Sequence, residues 1–212
     1  MKKAAALFDL DGVLIDSEPL YSEFYDSIAR IHNLKVENFS QVIKGSTISK
    51  ILSDFFPTEE MKVDVVRRLN EFERTMPFPV FDGVADFLSE LRRKGIPTVI
   101  ATSSAPEKME QLSGRLPDFT SLFDAVVTGA DVSKSKPDPE CYILAARLVG
   151  CDPADCYVFE DSINGLKAGM ASGATVIGLP TTLPEATLKG KAHKLISGFT
   201  GFSVEDMLSI AR

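Results

Sequence analysis

Cysteine and histidine are scarce in this chain of 212 residues, with three of the first and two of the second. Cys141, Cys151 and Cys156 are odd in number and lack C-x-x-C spacing, so neither a disulfide framework nor a thiolate metal site is indicated. Set among apolar residues, they read as buried free thiols of a reducing compartment. His32 and His193 stand apart from other candidate ligands and read as ordinary residues. No apolar run is long enough to span a bilayer. Met1-Lys2-Lys3 and the apolar stretch behind it have the outline of a secretory leader, but Asp9 interrupts the run too early. A cytoplasmic location is expected. Basic residues are also in deficit, 23 against 30 acidic ones, for a formal net charge of −7. Such a surface favours neither nucleic acid nor an anionic membrane, so any anionic ligand must be drawn by a local positive site. Hydrophobic content of 44% and charged content of 25% are those of an ordinary globular protein with a real core.

What is present is concentrated near the start. Ala4 to Leu10 is a short apolar run closed by Asp11-Gly12, as expected of a strand buried on both faces and followed by a turn. Side chains alternate along a strand, so Asp9 and Asp11 point the same way. Two carboxylates then share one small volume at the strand's C-terminal end, the usual ligand crevice of an open α/β sheet. Like charges that close are costly unless a cation or proton lies between them. Mg²⁺ is the simplest solution, because it takes one or two carboxylates and leaves room for phosphate oxygens. Taken alone, the same residues also describe a solvated turn.

Behind this strand, Asp16-Ser17-Glu18-Pro19 signals a helix start, and Leu20, Phe24, Ile28 and Ile31 form an apolar stripe. Helices are predicted over 46–55 and 58–75, the latter with Val63, Val66, Leu69 and Phe72 as its stripe. From Val84 onward helix and strand alternate. Strands are expected at 98–102, 125–128, 157–160 and 175–179, with helices at 84–93, 106–114, 139–149 and 164–172. In the third of these helices Asp138 is the expected cap, Gly150 the stop, and Cys141, Leu144, Ala145 and Leu148 the core stripe. Leu195-Ile196 reads as a last edge strand and 204–211 as a closing helix. Strands separated by such helices imply crossovers and a mostly parallel sheet, hence the α/β class. The all-helical residues 17–78 are too long for a βα connection and are expected to form a domain of their own, hinged to a core of 1–16 and 79–212.

Three later stretches fall where strands should end on the same side as Asp9. Thr102-Ser103-Ser104 ends a strand in hydroxyls that can hold phosphate oxygens or simply cap a helix. Lys136, stiffened by Pro137 and Pro139, offers a point charge, whereas Lys134 reads as solvated. Glu160-Asp161 closes a strand before a helix rich in small residues, Gly165, Ala168, Gly169 and Ala171, which lets it pack close to the sheet. Asp161 can complete a Mg²⁺ shell with Asp9; acidic capping of the helix is the plainer account.

In this order the stretches resemble the motifs of the haloacid dehalogenase (HAD) superfamily: Asp9-Leu10-Asp11-Gly12-Val13, Thr102, Lys136 and Glu160-Asp161. Asp9 to Pro19, DLDGVLIDSEP, is most similar to its β-phosphoglucomutase-like branch. The resemblance implies a Rossmann-like core with an inserted helical cap, and a Mg²⁺-dependent phosphatase of small phosphorylated metabolites, sugar or polyol phosphates foremost. It implies Asp9 as nucleophile and Asp11 as acid and base. Thr102, Ser103 and Lys136 would hold the phosphoryl group; Asp9, Asp11 and Asp161 would hold the metal with Glu160 in support. A mutase of this branch carries a histidine and an arginine in its cap, and the matching offsets from Lys44-Gly45-Ser46-Thr47 hold Tyr21 and Ile48, with Lys50 and Arg74 the cations a shifted match would bring. That favours hydrolysis over mutase action, with pyrophosphate a further candidate substrate. A dehalogenase would need neither Asp11 nor Glu160-Asp161; a non-catalytic binding protein is the remaining alternative. Substrate choice is expected near Tyr21, Tyr25 and residues 44–50; no protein partner is implied, and a monomer suffices.

Overall fold

Strand β1 (Ala5–Phe8) is buried along its whole length, which is why it carries no polar side chain. It is flanked by β2 (Thr98–Ala101), β3 (Ala125–Val127), β4 (Cys156–Glu160), β5 (Thr175–Gly178) and β6 (Lys194–Leu195). This computed structural model describes residues 4–43, 46 and 48–211. Among them the strands form one parallel sheet in the order β3-β2-β1-β4-β5-β6. Phe8 pairs in register with Ile100 on one side and Phe159 on the other, so the ends of β1, β2 and β4 lie along one edge. Alternation divides the core. Leu7, Val99, Val158 and Val176 pack on one face. On the other, Phe8 stacks on Phe159 with centroids 4.6 Å apart, and Phe87 and Phe199 close over them. Aromatic pairs of this kind add about 0.5–1.5 kcal/mol each beyond area burial.

The chain divides into two compact units, Met1–Asp16 with Pro79–Arg212, and Ser17–Phe78. The second is helical: α1 (Glu18–Ile31), α2 (Phe39–Val42), α3 (Ile48–Phe55) and α4 (Glu59–Thr75). Its core joins Phe24, Ile28, Phe39, Ile51, Phe56 and Val65. Two expected stripes are corrected here. Ile31 is 47% exposed, because α1 ends there and Leu34, past the turn at Asn33, packs on the cluster instead. In α4, Val63 and Val66 are exposed, and Met61, Val65, Leu69 and Phe72 form the packed face. Steps of three residues drift about 60° around a helix each time, whereas steps of four and three hold one face. Helix α3 starts at Ile48, later than expected; Lys44, Gly45 and Thr47 lie outside the described residues. Lys50 pairs with Asp54 one turn on, at 2.7 Å.

In the first unit the helices are α5 (Val84–Arg93), α6 (Pro106–Arg115), α7 (Pro117–Thr120), α8 (Glu140–Leu148), α9 (Ile163–Ser172), α10 (Glu185–Leu188) and α11 (Val204–Leu208). In α8 Leu148 is exposed and Tyr142 fully buried, so the expected stripe is shifted by the ring. Pro139 occupies its cap position, with the Asp138 carboxylate accepting the Glu140 N–H at 3.1 Å. Helix α9 is capped by Ser162, whose hydroxyl accepts the Gly165 N–H at 3.0 Å, and Glu160 accepts the Ser162 N–H and hydroxyl in turn. Helix α11 stops at Leu208, earlier than expected, behind a capping box of Ser203 and Asp206. Cys141 and Cys156 are buried, Cys151 is half-buried, and all three are free thiols. No helix among the described residues is long and apolar enough to cross a membrane.

Candidate active site

The ladder between β1 and β4 continues one residue past β1, as the Asp9 N–H donates to the Phe159 carbonyl at 3.0 Å. The chain then turns tightly: the Leu14 N–H donates to Leu10, and the Gly12 N–H to Ile15. Gly12 adopts φ +78°, and a Cβ on it would stand 2.1 Å from Asp161 Oδ2. Only glycine meets both demands. Its absent side chain is what lets the Asp161 carboxylate reach the β1 turn.

Asp9 is nearly buried, and Lys136 reaches it from the loop between β3 and α8. The Lys136 ammonium donates to Asp9 Oδ1 at 2.5 Å, Glu160 Oε1 at 2.7 Å and the Ala101 carbonyl at 2.9 Å. Its nitrogen also lies 4.8 Å from the centre of the Tyr142 ring. Glu160 is saturated. Besides Lys136, the Tyr142 hydroxyl donates to Oε1, and the Asp161 N–H, Ser162 N–H and Ser162 hydroxyl donate to Oε2.

Burial and charge set the protonation of this cluster. Burial pushes the Asp9 carboxyl up to about 7, with Lys136 opposing the rise and Glu160 adding to it. Burial raises Asp161 well above the carboxylate range, and the negative charges of Glu160 and Asp9 raise it further. For Glu160 burial acts upward too, but Lys136 and the other donors outweigh it and hold its pKa low. Burial works against the Lys136 charge, yet Asp9 and Glu160 keep it well above the ordinary lysine value.

Asp11 is half-buried, and its negative charge also acts on Asp9. It meets a different lysine: Lys108 Nζ donates to Oδ1 at 2.7 Å and Oδ2 at 2.6 Å, and the Ser104 hydroxyl donates to Oδ2 at 3.1 Å. Thr102 is buried just past β2, where its hydroxyl accepts the Ser104 N–H at 3.0 Å; Ser103 is exposed beside it. Asp9, Glu160, Asp161, Thr102 and Lys136 are therefore gathered around the C-terminal ends of β1, β2 and β4. The carboxylates do not converge as a cage: no group of three or more His, Cys, Asp or Glu among the described residues is arranged to hold a metal. Sequence reasoning passed over Lys108, Tyr142 and Thr182, the last of which hydrogen-bonds Asp161, and read Ser104 as a phosphate-holding or capping hydroxyl where it instead donates to Asp11.

A parallel sheet whose first strand ends in Asp-x-Asp, answered by a buried lysine and a later acidic pair, defines a class. A family model of haloacid dehalogenase-like hydrolases matches residues 3–173, and the chain belongs to that family. Hexitol phosphatase A of Escherichia coli K12 is 31% identical over 84% of this chain and 83% of its own length. A phosphorylated carbohydrates phosphatase of Thermotoga maritima is 32% identical over 80% of this chain and 81% of its own. Among crystal structures, a family IA, variant 3 HAD hydrolase from Entamoeba histolytica superposes with a TM-score of 0.81, at 25% identity over 99% of each chain. A β-phosphoglucomutase from Clostridium difficile shares the fold, with a TM-score of 0.77 at 18% identity over 98% of this chain and 96% of that one.

Proposed function

We propose that the chain is a Mg²⁺-dependent phosphatase that hydrolyses a small sugar or polyol phosphate through an aspartyl-phosphate on Asp9. The observation that carries this reading is the buried carboxylate of Asp9 at the strand edge, gripped by Lys136 at 2.5 Å beside the acidic pair Glu160-Asp161. The two carbohydrate-phosphate relatives support the substrate class.

The donor set fits a hard divalent cation. Asp9, Asp11, Glu160 and Asp161 face two ammonium groups, Lys108 and Lys136, which leaves a formal excess of two negative charges before any phosphate arrives. Asp161 is buried with its acid driven up, and its carboxylate lies against the β1 turn in the place a Gly12 side chain would fill. Mg²⁺ uses one or two carboxylates plus water and phosphate oxygens, so a full protein cage is not required. Asp9, Asp161 and the Asp11 carbonyl would hold it, and it would supply neutralisation of the phosphoryl charge. Glu160, with both oxygens already engaged, would support Lys136 and the β4–α9 turn.

Asp9 attacks phosphorus as the bond to the leaving oxygen breaks, and Asp11 gives that oxygen a proton. Asp11 then takes a proton from the water that cleaves the acyl phosphate, which frees Asp9 and phosphate. Lys136, Thr102 and the Ser103 amide hold the phosphoryl oxygens, since this chemistry needs chiefly positioning and charge compensation. The helical unit Ser17–Phe78 is the proposed cap that selects the leaving group. Its Tyr21 hydroxyl donates to Glu73 at 2.8 Å.

The test is phosphate release with Mg²⁺ across hexitol, sugar and polyol phosphates and pyrophosphate, with Asp9→Asn as control. Release that falls roughly 10³-fold or more in Asp9→Asn is expected. Isomerisation of a sugar 1-phosphate without release would make it a mutase, and release that survives Asp9→Asn would refute the mechanism.

A further inference from the structure

Lys108 is the third residue of α6 and only 4% exposed. A lysine there is disfavoured twice. Burial strips its ammonium of water, and the N-terminal turn of a helix carries partial positive charge. Its compensation is Asp11, both of whose carboxylate oxygens it contacts, at 2.7 and 2.6 Å, with the Ser104 hydroxyl as an additional donor at 3.1 Å. Each aspartate of the Asp-x-Asp pair thus has its own buried lysine: Lys136 for Asp9 and Lys108 for Asp11.

We propose that Lys108, helped by Ser104, is a positioning residue that fixes the Asp11 carboxyl for proton transfer. This role rests on the hydrolase chemistry proposed above. A carboxylate met on both oxygens cannot rotate freely, and orientation of a reacting group is worth a large share of a barrier. Lys108 thereby acts through Asp11 in both steps. In the first, the P–O bond breaks and Asp11 delivers its proton to the departing alkoxide. In the second, Asp11 receives a proton from water as the acyl phosphate is cleaved.

The leaving group separates this role from a merely structural one. An alkoxide needs a proton to depart, whereas p-nitrophenolate leaves without one. Lys108→Met should lower kcat/KM for a hexitol 6-phosphate by about 10- to 100-fold, a part of the roughly 10²- to 10⁴-fold that acid–base catalysis supplies. The loss for p-nitrophenyl phosphate should be at least about tenfold smaller on the same argument. Its steady-state kcat should still fall, because the water step needs Asp11, and a burst of nitrophenolate should precede it. Ser104→Ala, in a half-buried hydroxyl, should show the same selectivity at smaller amplitude, and Lys108→Arg should recover part of the alkyl activity. If Lys108→Met fails to fold, Ser104→Ala decides alone. Equal losses on the two substrates, or none on either, with an active wild type, overturn the role of Lys108 while leaving the hydrolase intact. A wild type inert to both substrates refutes the hydrolase reading and the role with it.

Discussion

Gly165 presents a case in which helix propensity and packing disagree in sign. It lies in the first turn of α9, and replacing a helical glycine by alanine ordinarily stabilises by about 1 kcal/mol. Here a Cβ would stand 1.7 Å from Glu160 Oε1, 1.8 Å from its Cδ and 2.2 Å from Oε2. That carboxylate is no flexible chain end. It is 1% exposed and held by Lys136, Tyr142, the Asp161 N–H and both donors of Ser162. Forcing it aside disrupts at least two bonds to a charged group, about 1.5–3 kcal/mol each, on top of about 1–3 kcal/mol of overpacking. After the propensity gain is offset, Gly165→Ala should destabilise by about 3–8 kcal/mol. In a chain of this size that corresponds to a fall in melting temperature of roughly 6–30 °C. Calorimetric melts of the wild type and variant measure it. Gly114→Ala in α6 is the control: its Cβ meets nothing within 4 Å, so it should gain roughly 0.5–1 kcal/mol. A Gly165→Ala protein melting within about 2 °C of wild type, or above it, would refute the argument, since the packing penalty should exceed the propensity gain several-fold.

Two further outcomes follow from the same cluster. Lys136→Met should cost about 3–5 kcal/mol, because it leaves the buried carboxylates of Asp9 and Glu160 facing each other without a cation; an unchanged urea midpoint would show that those carboxylates relax elsewhere. Asp9, with its folded pKa near 7, and Asp161 bind protons more tightly folded than unfolded. The Asp9 contribution to stability is full below the ordinary carboxylate value, about 3.9, and is lost as pH rises through about 7; that of Asp161 is likewise lost as pH rises through its own raised pKa. Mg²⁺ should therefore raise the melting temperature, measured against EDTA, more at pH 8 than at pH 5.5; equal shifts at the two values would argue against these carboxylates as its ligands.

The parallel sheet was legible because its strands are buried on both faces and so read as unbroken apolar runs between helices. The HAD resemblance was legible for a related reason: its motif residues sit where those runs end, at Asp9, Thr102 and Glu160. Helix faces were harder to place. On α4, Val63 and Val66 look as apolar as Val65, and only tertiary packing selects Met61, Val65 and Leu69. Short helices such as α2 and α7 are a single turn each, too brief for any periodicity to show.

The missed contacts failed to register for a different reason, because each residue looks ordinary by type and acts through a neighbour that the local pattern does not name. Tyr142 is a ring set among the apolar side chains of α8, and nothing local says that its hydroxyl reaches Glu160, 18 residues on. Gly165 reads as a small residue for close packing on the sheet, whereas the closest atoms to a Cβ there belong to Glu160, on the preceding strand end. Lys108 did carry a local signal. A cation in the third position of a helix opposes the helix dipole, and Met109 and Leu112 behind it place that turn against the core. A charge that is wrong for its helix position and buried as well needs a specific partner of opposite sign. In a chain whose first strand ends in two carboxylates, with Lys136 matched to Asp9, Asp11 is the acid that remains to be paired.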